Sequence, residues 1–307
     1  MKRFKNILVI PSEPKADDPA LVRATALANN NAARLMVIWP LEEAHDGGTG
    51  LEYLPDIVNA LEKELEKAVG PTREQGLIVD TRVRAGKPFV EVIRQVREGG
   101  HDLVVKTARG HKLHESLMFG TTALHLLRKC PCPVWIINPK PSKRSGVLAA
   151  VDPDTTNEQS QALNQKIMEL ATSLSVLEEM DLHVVHAWSV PHEDMIRHSP
   201  WLRVTRSDAD NYVKDIEGRH RERFAALYEQ FQHRVTSMET HFVKGEPGQV
   251  IPSIIDEKNI EVVIMGTVAR TGVPGLLIGN TAEGVINQVD CSVLAVKPEG
   301  FVSPIAA

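Results

Sequence analysis

Two stretches of the chain decide its fold: HDLVVKTARGHKLHESLMFGTTALHLLRKCPCPVWIINP at residues 101–139, and IEVVIMGTVARTGVPGLLIGNTAEGVINQVDCSVLAVKP at residues 260–298. A shift of 159 positions aligns them without a gap, and glycines, prolines and apolar runs recur in the same order. The matches are Gly86-Lys-Pro88 with Gly245-Glu-Pro247, Leu103-Val-Val105 with Val262-Val-Ile264, Gly120-Thr-Thr-Ala123 with Gly279-Asn-Thr-Ala282, Cys132 with Cys291, and Pro139 with Pro298. So many ordered matches indicate an internal repeat.

The repeat extends to the start of each copy with a different shift. Ile7-Leu-Val-Ile10 falls on Val147-Leu-Ala-Ala150 at a shift of 140 positions, so the second copy carries about nineteen extra residues in its middle. The chain has 307 residues, about twice the commonest domain length. We therefore predict two tandem domains, residues 1–140 and 146–300, joined by a polar linker.

Each copy alternates short apolar runs with amphipathic stretches. In the second copy this predicts strands at 147–151, 182–188, 239–244, 262–265 and 292–296, and helices at 157–177, 209–231, 248–258 and 279–288. Apolar strands alternating with helices are typical of a parallel sheet covered on both faces. Right-handed crossovers then give the α/β class, with two doubly wound, Rossmann-like sheets in tandem.

Composition narrows the function classes. The net charge of −5 argues against nucleic-acid binding over the whole surface. The sequence has no apolar run of the roughly 18 residues that a membrane span needs. The three cysteines, Cys130, Cys132 and Cys291, form no disulfide framework and favour a reducing, cytoplasmic location.

The ligand of a doubly wound sheet binds beyond the carboxyl ends of its strands, where the strand order reverses. In the second copy Asp152 follows strand one, Gly266 follows strand four, and Gly279 begins a helix. A glycine lets a phosphate approach the backbone, and a helix start favours an anion. The same residues are also typical of an ordinary turn and an ordinary helix cap, and the residues alone leave both interpretations open.

This arrangement resembles the universal stress protein family, in its tandem-domain form. Nucleotide-binding members carry an aspartate after strand one, then glycine, two residues, glycine, nine residues and glycine; Asp152, Gly266 and Gly279 match. The resemblance implies the strand order 3-2-1-4-5, pairing of the last strands within one chain as an intramolecular pseudo-dimer or in a homodimer, and ATP or ADP, with Mg²⁺, in the C-terminal domain. The implied binding residues are Val151, Asp152, Ala187, Met265, Gly266, Val268, Ala269, Gly279, Asn280 and Thr281.

Each copy departs from the family pattern at a different place. In the second copy Ala269 replaces the middle glycine, which costs on the order of 1 kcal/mol where a positive φ is needed. Asn280 replaces the Ser or Thr after the third glycine and can still bond a phosphate. In the first copy Ser12 replaces the aspartate and Thr107 the first glycine, whereas Gly110 and Gly120 remain. We therefore expect nucleotide in the second copy.

The first copy instead offers a basic loop, residues 106–114, that contains Lys106, Arg109, His111, Lys112 and His114. It could bind a second, anionic or lipid-like ligand, or it could be a solvated loop. His111 and His114, with His101, His125 and Cys130, match no strong zinc motif, so we predict no metal there. His183 and His186 lie on opposite faces of their strand and cannot share one ion.

The extra segment, residues 192–208, contains Trp201 and several arginines. It could cover the ligand or bind a partner, or it could be an ordinary loop that packs Trp201 on the core. The sequence contains no G-x-S-x-G elbow and no P-loop lysine. We therefore expect a cytoplasmic stress-response regulator that binds an adenine nucleotide. The alternatives are a scaffold for a lipid or metabolite without ATP binding, and a slow ATPase.

Overall fold

The computed structural model describes residues 4–42, 53–108, 119–140, 144–155, 157–199, 201–267 and 279–305. The elements of the first copy are β1 Asn6–Ile10, α1 Pro19–Asn31, β2 Arg34–Leu41, α2 Leu54–Glu74, β3 Val79–Ala85, α3 Pro88–Gly99, β4 Leu103–Thr107, α4 Thr121–Lys129 and β5 Val134–Ile137. Those of the second are β6 Gly146–Ala150, α5 Glu158–Leu177, β7 Asp181–Trp188, α6 Glu193–His198, α7 Arg206–Tyr228, β8 Met238–Lys244, α8 Pro247–Glu257, β9 Ile260–Gly266, α9 Asn280–Ile286 and β10 Ser292–Val296. Each element predicted for the second copy is found, with ends shifted by a few residues.

Side-chain caps fix where the helices of the second copy begin. The Asn157 side chain accepts from the Gln159 amide at 2.8 Å, which satisfies an amide that the first turn of α5 leaves unpaired. Thr205 and Asp208 form a reciprocal capping box at the start of α7. The helix after the extra segment therefore starts at Arg206, slightly earlier than the predicted 209.

The chain forms two compact units, Met1–Ser142 with Thr267–Ala307, and Lys143–Gly266. In the first unit the strand order is β3-β2-β1-β4-β5, all parallel, which confirms the predicted order 3-2-1-4-5. In the second unit the order is β8-β7-β6-β9, again parallel and again in the predicted sequence. The predicted domain boundaries, 1–140 and 146–300, follow the repeat and stay a prediction.

The last strands of the two copies pair with each other inside the first unit. β5 and β10 are antiparallel, with Trp135 opposite Leu294 and Val134 opposite Ala295. The unit boundary falls after Gly266 because this pairing attaches the end of the second copy to the first unit. The expected pairing of last strands within one chain is confirmed.

The central strands supply the cores. The residues of β1 and β4 that face the helices are fully buried, because helices cover both sides of a parallel sheet. None of the helices among the described residues is long and apolar enough to cross a membrane.

The extra segment of the second copy contains the short helix α6 and does not pack its tryptophan on the core. Trp201 is 86% exposed, and Met195 is 52% exposed. The interpretation of the segment as a loop that packs Trp201 on the core is therefore wrong, and the buried cluster of Trp188, Val190 and Ile216 forms without it.

Candidate functional site

The carboxyl ends of β6 and β9 lie side by side in the second unit. The two strands are parallel, and Ala150 is in register with Met265. Asp152 lies two residues beyond β6 and Gly266 is the last residue of β9, so the two lie at neighbouring strand ends, one residue from where the sequence places the end of β9. Val151 lies between the strand and Asp152, and its amide donates to the Val185 carbonyl at 3.0 Å.

Asn164 of α5 fixes the backbone at Asp152. The Asp152 amide donates to Asn164 Oδ1 at 3.0 Å, and Asn164 Nδ2 donates to the Asp152 carbonyl at 2.7 Å. Asn164 is buried, whereas Asp152 is half-buried. These two hydrogen bonds tie the backbone at Asp152 to α5.

Gly266 has a packing reason to be a glycine. A Cβ at this position would lie 2.8 Å from Leu163 Cδ2 and 3.9 Å from Ile167 Cδ1, because α5 crosses close to the end of β9. The preceding residue, Met265, has its side chain buried in the core. Contact with the end of the Leu163 side chain is thus a packing reason for a glycine at 266, one that the sequence analysis did not consider.

Ala187 lies on β7, the strand on the other side of β6. It is half-buried, between the buried side chains of His186 and Trp188. The structure thus places three predicted residues, Asp152, Ala187 and Gly266, at the carboxyl ends of three adjacent strands.

The predicted phosphate residues fall elsewhere. Gly279, Asn280 and Thr281 belong to the first unit, and Val268 and Ala269 lie outside the described residues. Gly279 is the N-cap of α9 with φ −71°, an ordinary backbone angle, and its amide donates to the Thr267 carbonyl at 3.0 Å. Asn280 and Thr281 are exposed. The phosphate contacts therefore stay a prediction.

A buried lysine that the sequence analysis missed holds Thr267. Lys297 Nζ donates to the Thr267 hydroxyl at 2.6 Å and to the Leu127 carbonyl at 2.6 Å, at the last turn of α4. Burial lowers the pKa of Lys297 to about 8. No local pattern marks this lysine, because its partners come from two segments far apart in the sequence.

At the equivalent strand ends of the first copy, side chains of that copy bond to one another. Asp18, the N-cap of α1, accepts at Oδ1 from the Thr107 hydroxyl at 2.6 Å and from the Ala20 amide at 3.0 Å. Its Oδ2 accepts from the Ser12 amide at 2.8 Å and the Ser12 hydroxyl at 2.9 Å. Ser12 and Thr107 are the two residues that replace the family's aspartate and glycine, and here they bond to one carboxylate.

The other hypotheses for the first copy are only partly within the described residues. Arg109, His111, Lys112 and His114 lie outside them. Lys106 does not face solvent as a loop residue would: it is buried in β4, with Nζ donating to the Thr107 carbonyl at 3.0 Å, because β4 continues one residue beyond it.

Of the residues weighed for zinc in the first copy, His101, His125 and Cys130 are among those that the structure describes, and each has a different partner. His101 Nε2 lies 3.3 Å from Gln95 Nε2, the ring of His125 stacks on Phe89, and Cys130 Sγ lies 3.6 Å from Cys132 Sγ.

A chain of polar contacts runs from the end of β6 to α7, and the sequence analysis missed it. His186 Nδ1 lies 3.3 Å from the Val151 carbonyl, and His186 Nε2 lies 2.8 Å from His220 Nδ1. His220 Nε2 is 3.3 Å from Asp154 Oδ2. Arg219 and Arg223 also contact Asp154.

Burial, and then the neighbouring His220, lowers the pKa of His186 to about 4. The opposite-face prediction for His183 and His186 holds, since His183 contacts His241 on the other side of the sheet. The spacing of β7 identified the faces but could not identify a partner on α7.

Comparison with known proteins identifies the family. The model of the universal stress protein family matches residues 3–138 and again 145–297. The chain belongs to the universal stress protein family. Both copies are therefore members of one domain family, as the internal repeat indicates.

Curated relatives have the same tandem length. Universal stress protein E of Escherichia coli K12 is 31% identical over 316 residues, which cover 99% of this chain and 98% of the relative. Universal stress protein E of Photorhabdus laumondii is 30% identical over 322 residues, covering 100% and 99%.

Solved structures show the fold. A protein of Pseudomonas aeruginosa PAO1 superposes with a TM-score of 0.72 at 24% identity, covering 98% of this chain and 95% of that one. A universal stress protein of Archaeoglobus fulgidus gives a TM-score of 0.62 at 15% identity, covering 96% and 99%.

Proposed function

We propose that this universal stress protein binds an adenine nucleotide, ATP or ADP, at the carboxyl ends of β6, β7 and β9, and acts as a regulator rather than a catalyst. One observation carries the proposal. The second copy keeps a half-buried carboxylate, Asp152, on a turn that Asn164 holds rigid, at the place where doubly wound sheets bind ligands.

The chemistry of these residues suits an adenosine group. A carboxylate accepts hydrogen bonds from ribose hydroxyls or from an exocyclic amino group. Ala187, one strand away, carries only a methyl group, which leaves room for a flat base beside the strand end. Because Asn164 already holds the backbone at Asp152, this turn loses little backbone entropy on binding, so more of the hydrogen-bond energy contributes to affinity.

The phosphates are assigned from the sequence alone. The segment from Gly266 to Thr281 carries the family glycine spacing, with Val268 and Ala269 within it and Asn280 in place of the usual hydroxyl residue. Backbone amides there would hold the phosphates, and Mg²⁺ would accompany ATP. The alanine at 269 predicts an affinity weaker by several-fold than a glycine would give.

The test is calorimetric titration of ATP with magnesium into the full chain, together with the Asp152→Ala variant. We expect binding by the wild type and loss of binding by the variant, because the variant removes the acceptor and leaves the fold. Ser12→Ala is the matched control, since Ser12 occupies the equivalent position in the first copy. That variant should bind nucleotide as the wild type does.

Absence of ATP and ADP binding at millimolar nucleotide, or unchanged binding by Asp152→Ala, would overturn the proposal. Native mass spectrometry of the purified protein distinguishes the nucleotide proposal from the scaffold alternative. A retained adenine nucleotide supports the proposal, whereas a retained lipid or metabolite without nucleotide supports a scaffold. Phosphate release that depends on Asp152 would instead identify a slow ATPase.

A further inference from the structure

A second cluster of chemically active side chains lies in the second unit, away from the carboxyl ends of the strands. It consists of His183 near the start of β7, with Glu239 near the start and His241 in the middle of β8. His183 is in register with Glu239, and Glu239 and His241 are two residues apart, so all three project from one face of the sheet. The cluster therefore lies toward the amino-terminal ends of these strands, opposite the proposed nucleotide site.

The three side chains converge on one point. His183 Nδ1 lies 3.0 Å from His241 Nε2 and 3.6 Å from Glu239 Oε2. One ligand atom from each residue lies within 4.8 Å of the other two. The distances expected between two nitrogens of a tetrahedral zinc site are about 3.3 Å, from Zn–N bonds of about 2.0–2.1 Å. Shifts of a few tenths of an ångström bring the imidazoles to that spacing.

The imidazoles are held in place, whereas the carboxylate can adjust. The side chains of His183 and His241 are 9% and 10% exposed, and that of Glu239 is 50% exposed. Gly146 on the neighbouring strand makes room for His183, because a Cβ there would lie 3.2 Å from His183 Cδ2. Two fixed nitrogens and one mobile oxygen leave a fourth position toward solvent.

The surroundings favour the forms of these side chains that bind a metal. Burial lowers the pKa of His183 and of His241, which favours uncharged imidazoles. The hydrogen bond from Lys258 lowers the pKa of Glu239, which keeps its carboxylate charged. Lys258 Nζ forms an ion pair with Glu239 Oε1 at 2.8 Å, and the other carboxylate oxygen, Oε2, lies nearest to His183.

The fold does not require this cluster. At the equivalent positions the first copy has Met36, Asp80 and Arg82, none of which is an imidazole. The same sheet is therefore built without the two histidines, and their pairing needs a reason specific to the second copy.

We propose that His183, Glu239 and His241 bind one Zn²⁺ ion, with solvent as the fourth ligand. Two imidazoles and a carboxylate are a ligand set that zinc prefers. On binding, the hydrogen between His183 Nδ1 and His241 Nε2 would move to the other nitrogen of its own ring, so that both facing nitrogens offer a lone pair to the ion. Lys258 would remain bonded to the outer oxygen of Glu239. The site does not depend on nucleotide.

The test is titration of Zn²⁺ into the full, tag-free chain, with Co²⁺ absorption as the report of a tetrahedral site. Glu239→Gln is the first variant, because Glu239 is exposed and its replacement should not disturb folding. We expect a loss of zinc affinity of at least about 10-fold to 100-fold, which is the size of effect that even outer ligands produce. His241→Ala should remove the tetrahedral cobalt spectrum.

His198→Ala is the matched control, since His198 is an exposed histidine outside the cluster, and it should bind zinc as the wild type does. Zinc affinity that is unchanged in both cluster variants, or a wild-type chain without a tetrahedral cobalt spectrum, would overturn the proposal. Asp152→Ala should bind zinc normally, so failure of this site and failure of the nucleotide site are separate results.

Discussion

The two copies differ in the hydrogen bonding at the ends of their first and fourth strands. In the first copy, Ser12 and Thr107 turn their polar atoms toward the carboxylate of Asp18, which accepts from both. In the second copy, the equivalent positions are Asp152 and Gly266, and a helix side chain, Asn164, bonds to the Asp152 backbone through both its oxygen and its nitrogen. In the first copy a helix carboxylate binds both strand-end side chains, whereas in the second copy a helix amide binds the strand-end backbone and the carboxylate belongs to the strand end itself.

The helices explain how one repeat supports both arrangements. In the first copy α1 leaves space at β4 for the Thr107 side chain, which also accepts from the Ala20 amide at 3.0 Å. In the second copy α5 approaches β9 so closely that Leu163 would meet any Cβ at Gly266. Loss of the family glycine and loss of the aspartate in the first copy are thus one structural change, because the replacing side chains share one partner.

The largest effect that we predict is for Asp18→Ala. This change leaves the buried hydroxyl of Thr107 and several amides without their acceptor, so we expect a loss of about 2–4 kcal/mol in the free energy of unfolding. Urea denaturation measures it. Asn164→Ala in the second copy is the comparison, and it should cost less, about 1–2 kcal/mol, because its bonds join neutral groups. Equal costs would contradict the prediction that the charged acceptor of the first copy contributes more than the neutral amide of the second.

A smaller effect is expected when a first-copy residue is placed in the second copy. Gly266→Thr puts a Cβ within 2.8 Å of Leu163 Cδ2, and overpacking of this kind should cost about 1–2 kcal/mol. Leu163 is half-buried and can move, which keeps the cost moderate. Thermal unfolding measures the loss, and the added change Leu163→Ala should recover most of it. A variant as stable as the wild type would contradict the packing explanation of Gly266.

The third prediction concerns pH, and it separates the copies because Trp39 occupies the first-copy position that corresponds to His186. The pKa of His186 is lowered from 6.5 to about 4 in the folded chain, so the unfolded chain binds a proton first as pH falls. The contribution of His186 to the free energy of unfolding is therefore present above pH 6.5 and is lost progressively as the pH falls toward 4. Between pH 7 and 5 the loss should be on the order of 2 kcal/mol.

Hydrogen exchange resolved along the chain is the measurement for this prediction. Acidification to pH 5 should reduce protection more in β7 than in β2, because the first-copy histidines with a lowered pKa, His101 and His125, lie outside β2. His186→Phe should weaken the pH dependence in β7. If β2 and β7 lost protection equally, or if the variant responded to pH as the wild type does, the assignment to His186 would be wrong.

The sequence predicted the fold because its signals are local and occur twice. Strand runs such as Val262–Met265 and caps such as Asn157 mark elements through neighbouring residues alone. The site was predicted less completely. The partners of Asp18, His186 and Lys297 come from segments that only the folded sheet brings together. Likewise, the packing role of Gly266 depends on how close α5 lies, which no spacing in the sequence records.

The antiparallel pairing of β5 and β10 also has a consequence for the chain while it is being synthesised. β5 is complete when Ile137 has been made, but its partner arrives about 160 residues later. At typical elongation rates the edge of the first sheet waits on the order of ten seconds with unpaired amides and carbonyls. For that interval the first copy on the ribosome is open to pairing with the same strand of a neighbouring nascent chain.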